Sequence, residues 1–474
     1  MRTNSPSLRP CLLLLSALLA ASAACRHLPG PAPKAAALWL TDPGRATLFQ
    51  KQAAPLPFTG SASAATLIDV DPAQAYQVMD GFGYALTGGS ARLIHQMDAA
   101  ARAALLRELF STDGGGIGTS LLRVSIGASD LDEQPFTYDD LPAGQSDPRL
   151  AKFSLKPDRA HLLPVLKEIL AIDKDLMILG SPWSAPAWMK TNDSLKGGSL
   201  KPEFYGAYAQ YFVRYLRAMK AEGVEVAAVT VQNEPLNPDN NPSMTMTAKE
   251  QTAFVKGHLG PALRAAGLWT RIIIYDHNAD RIDYPLEVLA DPQARSFVDG
   301  SAFHLYGGEI GELSKVHAAH PDKRLYFTEQ WVGAPGDLAA DLGWHVENLI
   351  IGAPRNWCRT VLEWNLAADP KQDPHTVGGC DRCLGAVTIN RDQVSRNPAY
   401  YIIAHASKFV RPGSVRIASS APQGLPNAAF RTPQGRLVLV VRNSGKDSRS
   451  FGIRCRGRTA AAVLDGGAVG TFVW

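Results

Sequence analysis

The chain has 474 residues, 46% of them hydrophobic and 19% charged, with a formal net charge of +4. That composition excludes a disordered chain, and the scattered Lys and Arg residues exclude a nucleic-acid partner, which would gather them on one face. The length exceeds a single small core and suits a large α/β barrel with an accessory domain.

Arg2 and Arg9 precede the apolar run Cys11 to Leu19, which gives way to the small residues Ala20 to Ala24. This predicts a secretory signal over residues 1–24, with an A-x-A box at Ala21-Ser22-Ala23; the run is too short to remain in a bilayer. Cys25 stands where a bacterial lipoprotein carries its lipid, although Ser22 replaces the usual Leu. The chain is thus expected to be exported, to the periplasm or the medium, and lipid on Cys25 is the only route to a membrane that it offers.

Residues 25–64 are rich in Ala, Pro and Ser and read as a tether leading into the first strands of a sandwich. From 65 to 406, strand-like and helix-like segments alternate. Strands are expected at 78–86, 120–127, 176–183, 226–234, 271–278, 300–307, 324–331 and 360–366, and helices at 98–110, 157–172, 202–222, 248–266 and 337–351. Eight strands with intervening helices predict an α/β fold, a closed (β/α)8 TIM barrel. No G-x-G-x-x-G follows a strand, so a dinucleotide fold has no support. After 407 the pattern becomes short alternating strands, at 414–420, 428–432, 437–443, 450–454 and 470–474. They predict a C-terminal β-sandwich, joined by strands at 46–50 and 65–70, so that both chain ends build it.

In a barrel of this kind the site lies at the C-terminal ends of the strands. Those ends read Arg123 and Asp130, Ser181-Pro182-Trp183, Asn233-Glu234, Asp276-His277-Asn278, His304-Leu305-Tyr306, Glu329, and Glu363-Trp364-Asn365. Each has a bland explanation alone: Arg123 could pair with a buried carboxylate, Trp183 could fill a gap, and His304 could be a satisfied interior histidine. Together they outweigh it, because barrel cores are mostly branched aliphatics. Glu234 and Glu329, each ending a buried strand pattern, supply the two carboxylates that glycoside hydrolysis needs. Cys380-Asp381-Arg382-Cys383 reads as a disulfide in an oxidising compartment. A zinc site completed by Cys358 and His375 is the weaker alternative.

The segments Asp80-Gly81-Phe82-Gly83, Arg123 to Asp130, Ser181 to Asn192, Gln232-Asn233-Glu234-Pro235, His304-Leu305-Tyr306 and Thr328-Glu329 resemble glycoside hydrolase family 30, the glucosylceramidase family. The resemblance implies that Glu234 is the acid/base and Glu329 the nucleophile of a retaining reaction that needs no cofactor or metal. Asn233 is then expected on the sugar 2-hydroxyl, Tyr306 as donor to Glu329, Trp183 and Trp364 as the sugar platform, and Arg123, Asp130 and His304 on the remaining hydroxyls. Glu234 is expected to have a raised pKa and Glu329 to be ionised. Two features depart from the family: Gly88 stands where an Asp is common, and the loop from Asp373 to Cys383 carries the Cys-x-x-Cys segment.

The reaction implied is glucosylceramidase-like cleavage of β-D-glucosides through a covalent glycosyl-enzyme. A β-1,6-glucanase is the alternative, with β-xylosidase or xylanase more remote. The expected partner is a β-glucoside, either glycolipid or saccharide. A non-catalytic carbohydrate-binding surface lipoprotein is the reading from another class, and the presence of both glutamates argues against it.

Overall fold

The computed structural model describes Met1 and residues 32–60 and 65–474; the expected export signal and Cys25 lie outside the described residues. Eight parallel strands form a closed barrel: β1 (Gly81–Ala85), β2 (Leu121–Ser125), β3 (Met177–Ser181), β4 (Ala228–Thr230), β5 (Arg271–Asn278), β6 (Val298–His304), β7 (Arg324–Glu329) and β8 (Cys358–Asn365). They follow one another around the barrel in chain order, and β8 pairs with β1 to close it.

The strands are buried on both faces, as expected of parallel strands covered by helices. Outward-facing Leu122, Ile178, Val229, Ile272, Phe303, Leu325 and Val361 join the core beneath the helices. The interior is floored by Leu121, Leu179, Ala228, Ile273, Ala302, Tyr326 and Leu362. Side chains alternate along a strand, so the next inward positions are two residues further on. There the sequence changes to Arg123, Ser181, Thr230, His304, Thr328 and Trp364. The barrel is therefore an apolar plug at one end and a polar socket at the other.

Register shifts at the socket end sharpen this division. The β5–β6 ladder skips Asp276, the β6–β7 ladder skips Thr328, and the β8–β1 ladder skips Trp364. Such an extra residue bends the strand and re-aims side chains. This is how Thr328 and Glu329, adjacent in sequence, both come to meet groups inside the barrel mouth.

The sandwich differs from expectation at its N-terminal side. Most of the described tether is strand: Ala35–Asp42, Thr47–Lys51 and Leu56–Thr59. The run Leu67–Val78 is one 12-residue strand of the sandwich, so Val78 belongs there and the first barrel strand begins at Gly81 rather than at 78. A strand absent from the expectation, Arg458–Leu464, pairs with Arg449–Cys455; its alanine-rich sequence carries little β preference. The ten strands form one sheet that returns on itself where Ala35–Asp42 pairs with Leu56–Thr59. It encloses a core that includes Leu38, Ile68, Ile417, Leu439, Phe451 and Phe472.

Barrel and sandwich meet at the helix Pro398–Ser407. Its buried His405 shares hydrogen bonds of 2.8 Å with Thr471 and 2.8 Å with Thr41, one at each ring nitrogen. Burial drives its pKa down to about 3, so it stays neutral. Replacing it leaves two threonine hydroxyls without this partner and a void between the domains. His405→Ala is expected to lower stability by on the order of 2–4 kcal/mol while leaving turnover intact, as read by denaturant unfolding beside an activity assay.

Candidate active site

Arg123 lies at the centre of the socket and is fully buried. Its Nε donates to Ser181 Oγ at 3.0 Å, Nη1 donates to Glu329 Oε2, and Nη2 donates to Asn233 Oδ1 at 2.6 Å and Asp276 Oδ2 at 2.8 Å. Its guanidinium carbon lies 4.8 Å from the ring centroid of Trp183 and 5.7 Å from that of Trp364. With its donors committed in this way, Arg123 holds protein carboxylates rather than sugar hydroxyls, which corrects the expectation from sequence.

Asp276 is the group that the sequence reading did not assign. It is sealed from solvent and accepts from Arg123, from Thr328 Oγ1 at 2.7 Å and from Ser181 Oγ at 3.3 Å, and its Oδ1 lies 3.2 Å from His304 Nε2. Burial works against its charge, but Arg123 and His304 more than offset this and hold its pKa well below the carboxylate range. Tyr275 and Asp276 have φ of 70° and 69°, a left-handed conformation uncommon for non-glycine residues. An aspartate that follows Ile272-Ile273-Ile274-Tyr275 was the available signal: a charge inside an apolar strand needs a buried partner.

Glu234 follows β4, with φ of 44° and its amide bonded to the Asp276 carbonyl at 2.9 Å. Its Oε1 lies 3.2 Å from His304 Nδ1, and its Oε2 accepts from Asn237 at 2.8 Å. Glu329 accepts from Arg123 and, at 2.9 Å, from the hydroxyl of Tyr306. His304 thus bridges Asp276 and Glu234, one on each ring nitrogen, so it orients the carboxyls instead of meeting sugar.

An oxygen of Glu234, an oxygen of Glu329 and a nitrogen of His304 all lie within 4.8 Å of one another. Such a triplet has the reach to hold a cation, but these groups are already engaged with Arg123, Tyr306, Asn237 and one another.

Charge in this triplet is shared. Burial lowers the pKa of His304, but Glu329, Asp276 and Glu234 reverse this and raise it to about 9. Burial raises Glu234, yet the His304 hydrogen bond and charge outweigh it and bring it down to about 2. Burial raises Glu329, and the Glu234 charge adds to that against the pull of His304 and Arg123. The order is the reverse of that expected from the assigned roles. The cause is His304, which stands at hydrogen-bonding distance from Glu234 and 3.8 Å from Glu329, so the three groups gain and lose protons as a set.

The cleft above them has a volume of about 530 Å³ and is lined by Asp130, Asn237, Asn240, Asn278, Tyr306, Trp331, Trp364 and both cysteines, among others. Trp183 is 2% exposed and packs against Trp364 at 5.5 Å between ring centroids. It therefore stands behind the cleft, and the indole rings that line it belong to Trp364 and Trp331. Trp331, expected as the last residue of the strand at 324–331 and given no role there, lies two residues beyond the observed strand end at Glu329. Glu363, from the β8 mouth, turns away to pair with His345 at 2.8 Å and takes no part. Asp132 explains Gly88: its Oδ1 lies 1.7 Å from where a side-chain Cβ at residue 88 would sit. Cys380 and Cys383 are joined to each other, so they are not zinc ligands, and Cys358 is a separate buried thiol.

A closed (β/α)8 barrel with paired carboxyls at its C-terminal mouth, flanked by tryptophans and amides, defines a glycoside hydrolase. The chain belongs to glycosyl hydrolase family 30: residues 79–410 match the family's TIM-barrel domain and residues 413–472 its beta sandwich domain. It is 34% identical over 419 residues to the endo-1,6-beta-D-glucanase BGN16.3 of Trichoderma harzianum, covering 83% of each chain. It is 30% identical to mouse lysosomal acid glucosylceramidase over 405 residues, 80% of this chain and 78% of the other. Among solved structures, the endo-beta1,6-glucanase BT3312 superposes with a TM-score of 0.86 at 36% identity, covering 93% of this chain and 99% of that one.

The folded-state pKa of His304 lies above its ordinary 6.5, so the folded protein binds more protons here than the unfolded chain. The stabilisation this gives is complete below about pH 6.5 and is lost as pH rises through about 9. Lys190, which burial lowers to about 7, acts in the opposite sense above pH 7, so wild type and variant must be compared. Between pH 6.5 and 9 the wild type is expected to lose more thermal stability than His304→Gln.

Proposed function

We propose that the protein is a retaining β-glucanase acting on β-1,6-linked glucan. The observation that carries the mechanism is the approach of Glu234 and Glu329 oxygens to within 4.8 Å. Retaining enzymes hold their carboxyl groups about 5–5.5 Å apart, whereas inverting enzymes need roughly 6.5–9.5 Å to seat a water. Glu329, with one oxygen on Arg123 and the other on Tyr306, is the nucleophile that attacks the anomeric carbon. Glu234 protonates the departing oxygen and then takes a proton from the water that cleaves the glycosyl-enzyme.

Its proton is held by the His304–Glu234 pair. Imidazolium with carboxylate differs from imidazole with carboxylic acid only in where the proton rests along a 3.2 Å contact. Glu234 can therefore act as an acid without a raised pKa of its own. Asn233, whose Oδ1 is occupied by Arg123, presents its amide N–H groups to the sugar 2-hydroxyl.

Specificity for a saccharide leaving group over ceramide is supported by the lining on that side, where the polar Asn237, Asp239, Asn240 and Asn278 outnumber the apolar Leu236 and Pro238. Alkyl chains laid there would dehydrate these groups without replacing their hydrogen bonds, whereas a second sugar supplies hydroxyls. The fungal relative and the solved glucanase agree with this reading. A disulfide in the cleft wall also fits action outside the reducing cytoplasm, in keeping with the export signal read from the sequence.

Hydrolysis of β-1,6-glucan and glucosylceramide, measured side by side, is expected to favour the glucan; preference for the lipid would reverse the assignment. Glu329→Gln is expected to cut turnover by roughly ten-thousandfold or more while sugar still binds. Glu234→Ala should recover activity on a β-glucoside with a good leaving group, because only protonation of that group is lost in the first step. Undiminished turnover in the Glu329 variant would contradict the division of roles between the two glutamates.

A further inference from the structure

The Cys380–Cys383 disulfide lines the cleft beside both glutamates, yet no chemical step uses it. Its position shows what it holds. The Cys380 amide donates to Asp130 Oδ2 at 3.2 Å, and the Thr376 amide from the same loop donates to the Asp130 carbonyl at 2.8 Å. Asp130 is thus gripped by its carboxylate and its backbone at once. Cys383 is the anchored end: it packs with Trp183, Trp364 and Leu131, its carbonyl accepts from Asn365 at 3.2 Å, and it pairs with Gly333 beyond β7.

The Cys380 end has less to hold it. It is preceded by Gly378-Gly379 and followed by the exposed Asp381 and Arg382, and glycines leave a backbone free to wander. The Gly379 amide donates to the Thr376 carbonyl at 2.9 Å and the Arg382 carbonyl accepts from the Ala334 amide at 2.8 Å, while the sulfur link is the direct covalent tie between the residue whose amide caps Asp130 and the fixed side of the cleft. Burial and the Glu329 charge raise the pKa of Asp130 to about 7, while the Cys380 amide opposes that rise.

We propose that the Cys380–Cys383 disulfide is a positioning element of the first sugar subsite: it keeps the Cys380 amide on Asp130, fixing the carboxylate that receives the sugar hydroxyls, so that sugar affinity depends on the oxidised loop. This rests on the reading of the cleft as a β-glucoside site. Reduction by a dithiol supplies two electrons and two protons. The S–S bond breaks, two thiols form, and the reductant closes into its own disulfide. Asp130 then loses a hydrogen bond that favours its charged form.

The test compares the full chain before and after dithiothreitol treatment, with thiols counted, on 4-nitrophenyl β-D-glucoside, and includes the double variant Cys380→Ser/Cys383→Ser. KM is expected to rise about tenfold, the loss expected of one hydrogen bond to a charged group, with kcat changed by less than about threefold. The pH dependence of KM should move to higher pH, and Asp130→Asn should add little once the disulfide is gone. An unchanged KM with two new thiols counted would overturn the proposal, as would full additivity with Asp130→Asn. A parallel fall of kcat and melting temperature would overturn it too, since that marks general loosening. Should the serine variant not fold, the reduced wild type decides. An oxidised enzyme inactive on every β-glucoside would sink the functional reading instead, and calorimetry with glucose on both redox forms would still decide the role of the disulfide.

Discussion

A guanidinium sealed inside the barrel sets the terms for everything above it. Removing Arg123 and Asp276 from water carries a desolvation penalty of several kcal/mol per ion, which is offset only if the geometry satisfies their remaining donors and acceptors. The socket is built to do that. Ser181, Thr230, Asn233 and Thr328 are hydrogen-bonded around the pair, and the register shift in β5 brings Asp276 to it. Glu329 completes the set as the second carboxylate on Arg123, so its carboxylate is fixed by the same interaction that makes the polar interior tolerable. Catalytic geometry and fold stability form a single constraint in this barrel, which is why the site tolerates left-handed backbone at Glu234, Tyr275 and Asp276.

The proton balance follows from this arrangement. Arg123 is a permanent cation beside Glu329, whereas the cation beside Glu234 is a histidine that can give up its proton. One carboxylate is therefore held in place by a charge that does not change, and the other faces a neighbour that can exchange a proton with it. In the proposed mechanism that asymmetry suits Glu329 to the nucleophile and Glu234 to the acid/base.

Much of this was legible in the sequence, because strands and strand mouths have a period and a polarity. All eight barrel strands lie where alternating apolar runs had put them, and Glu234, Glu329, Asp130 and Tyr306 meet at one cleft. What was hidden depends on three-dimensional register. Arg123 and His304 had both a bland and a functional reading, and the structure joins the two: each is a buried, satisfied group whose partners include one of the two cleft glutamates, Glu329 or Glu234. Asp276 and Trp331 owe their roles to a bulge and to a loop, which carry no periodic signal. The strand Ala35–Asp42 was concealed by alanine, a residue that marks neither face of a sheet. The wall of the cleft was the least legible, since it comes largely from the loops after β4, β7 and β8 and from the end of β5.

If the mechanism holds, Glu329 becomes covalently bonded to the sugar while Glu234 serves it across the same pocket. Mass spectrometry of peptides after the enzyme has been trapped with a 2-deoxy-2-fluoro-β-glucosyl fluoride reads that bond itself. A single fluoroglucosyl adduct is expected, on the peptide that contains Glu329. An adduct on Glu234, or no adduct on an enzyme that turns over β-glucosides, would contradict the mechanism.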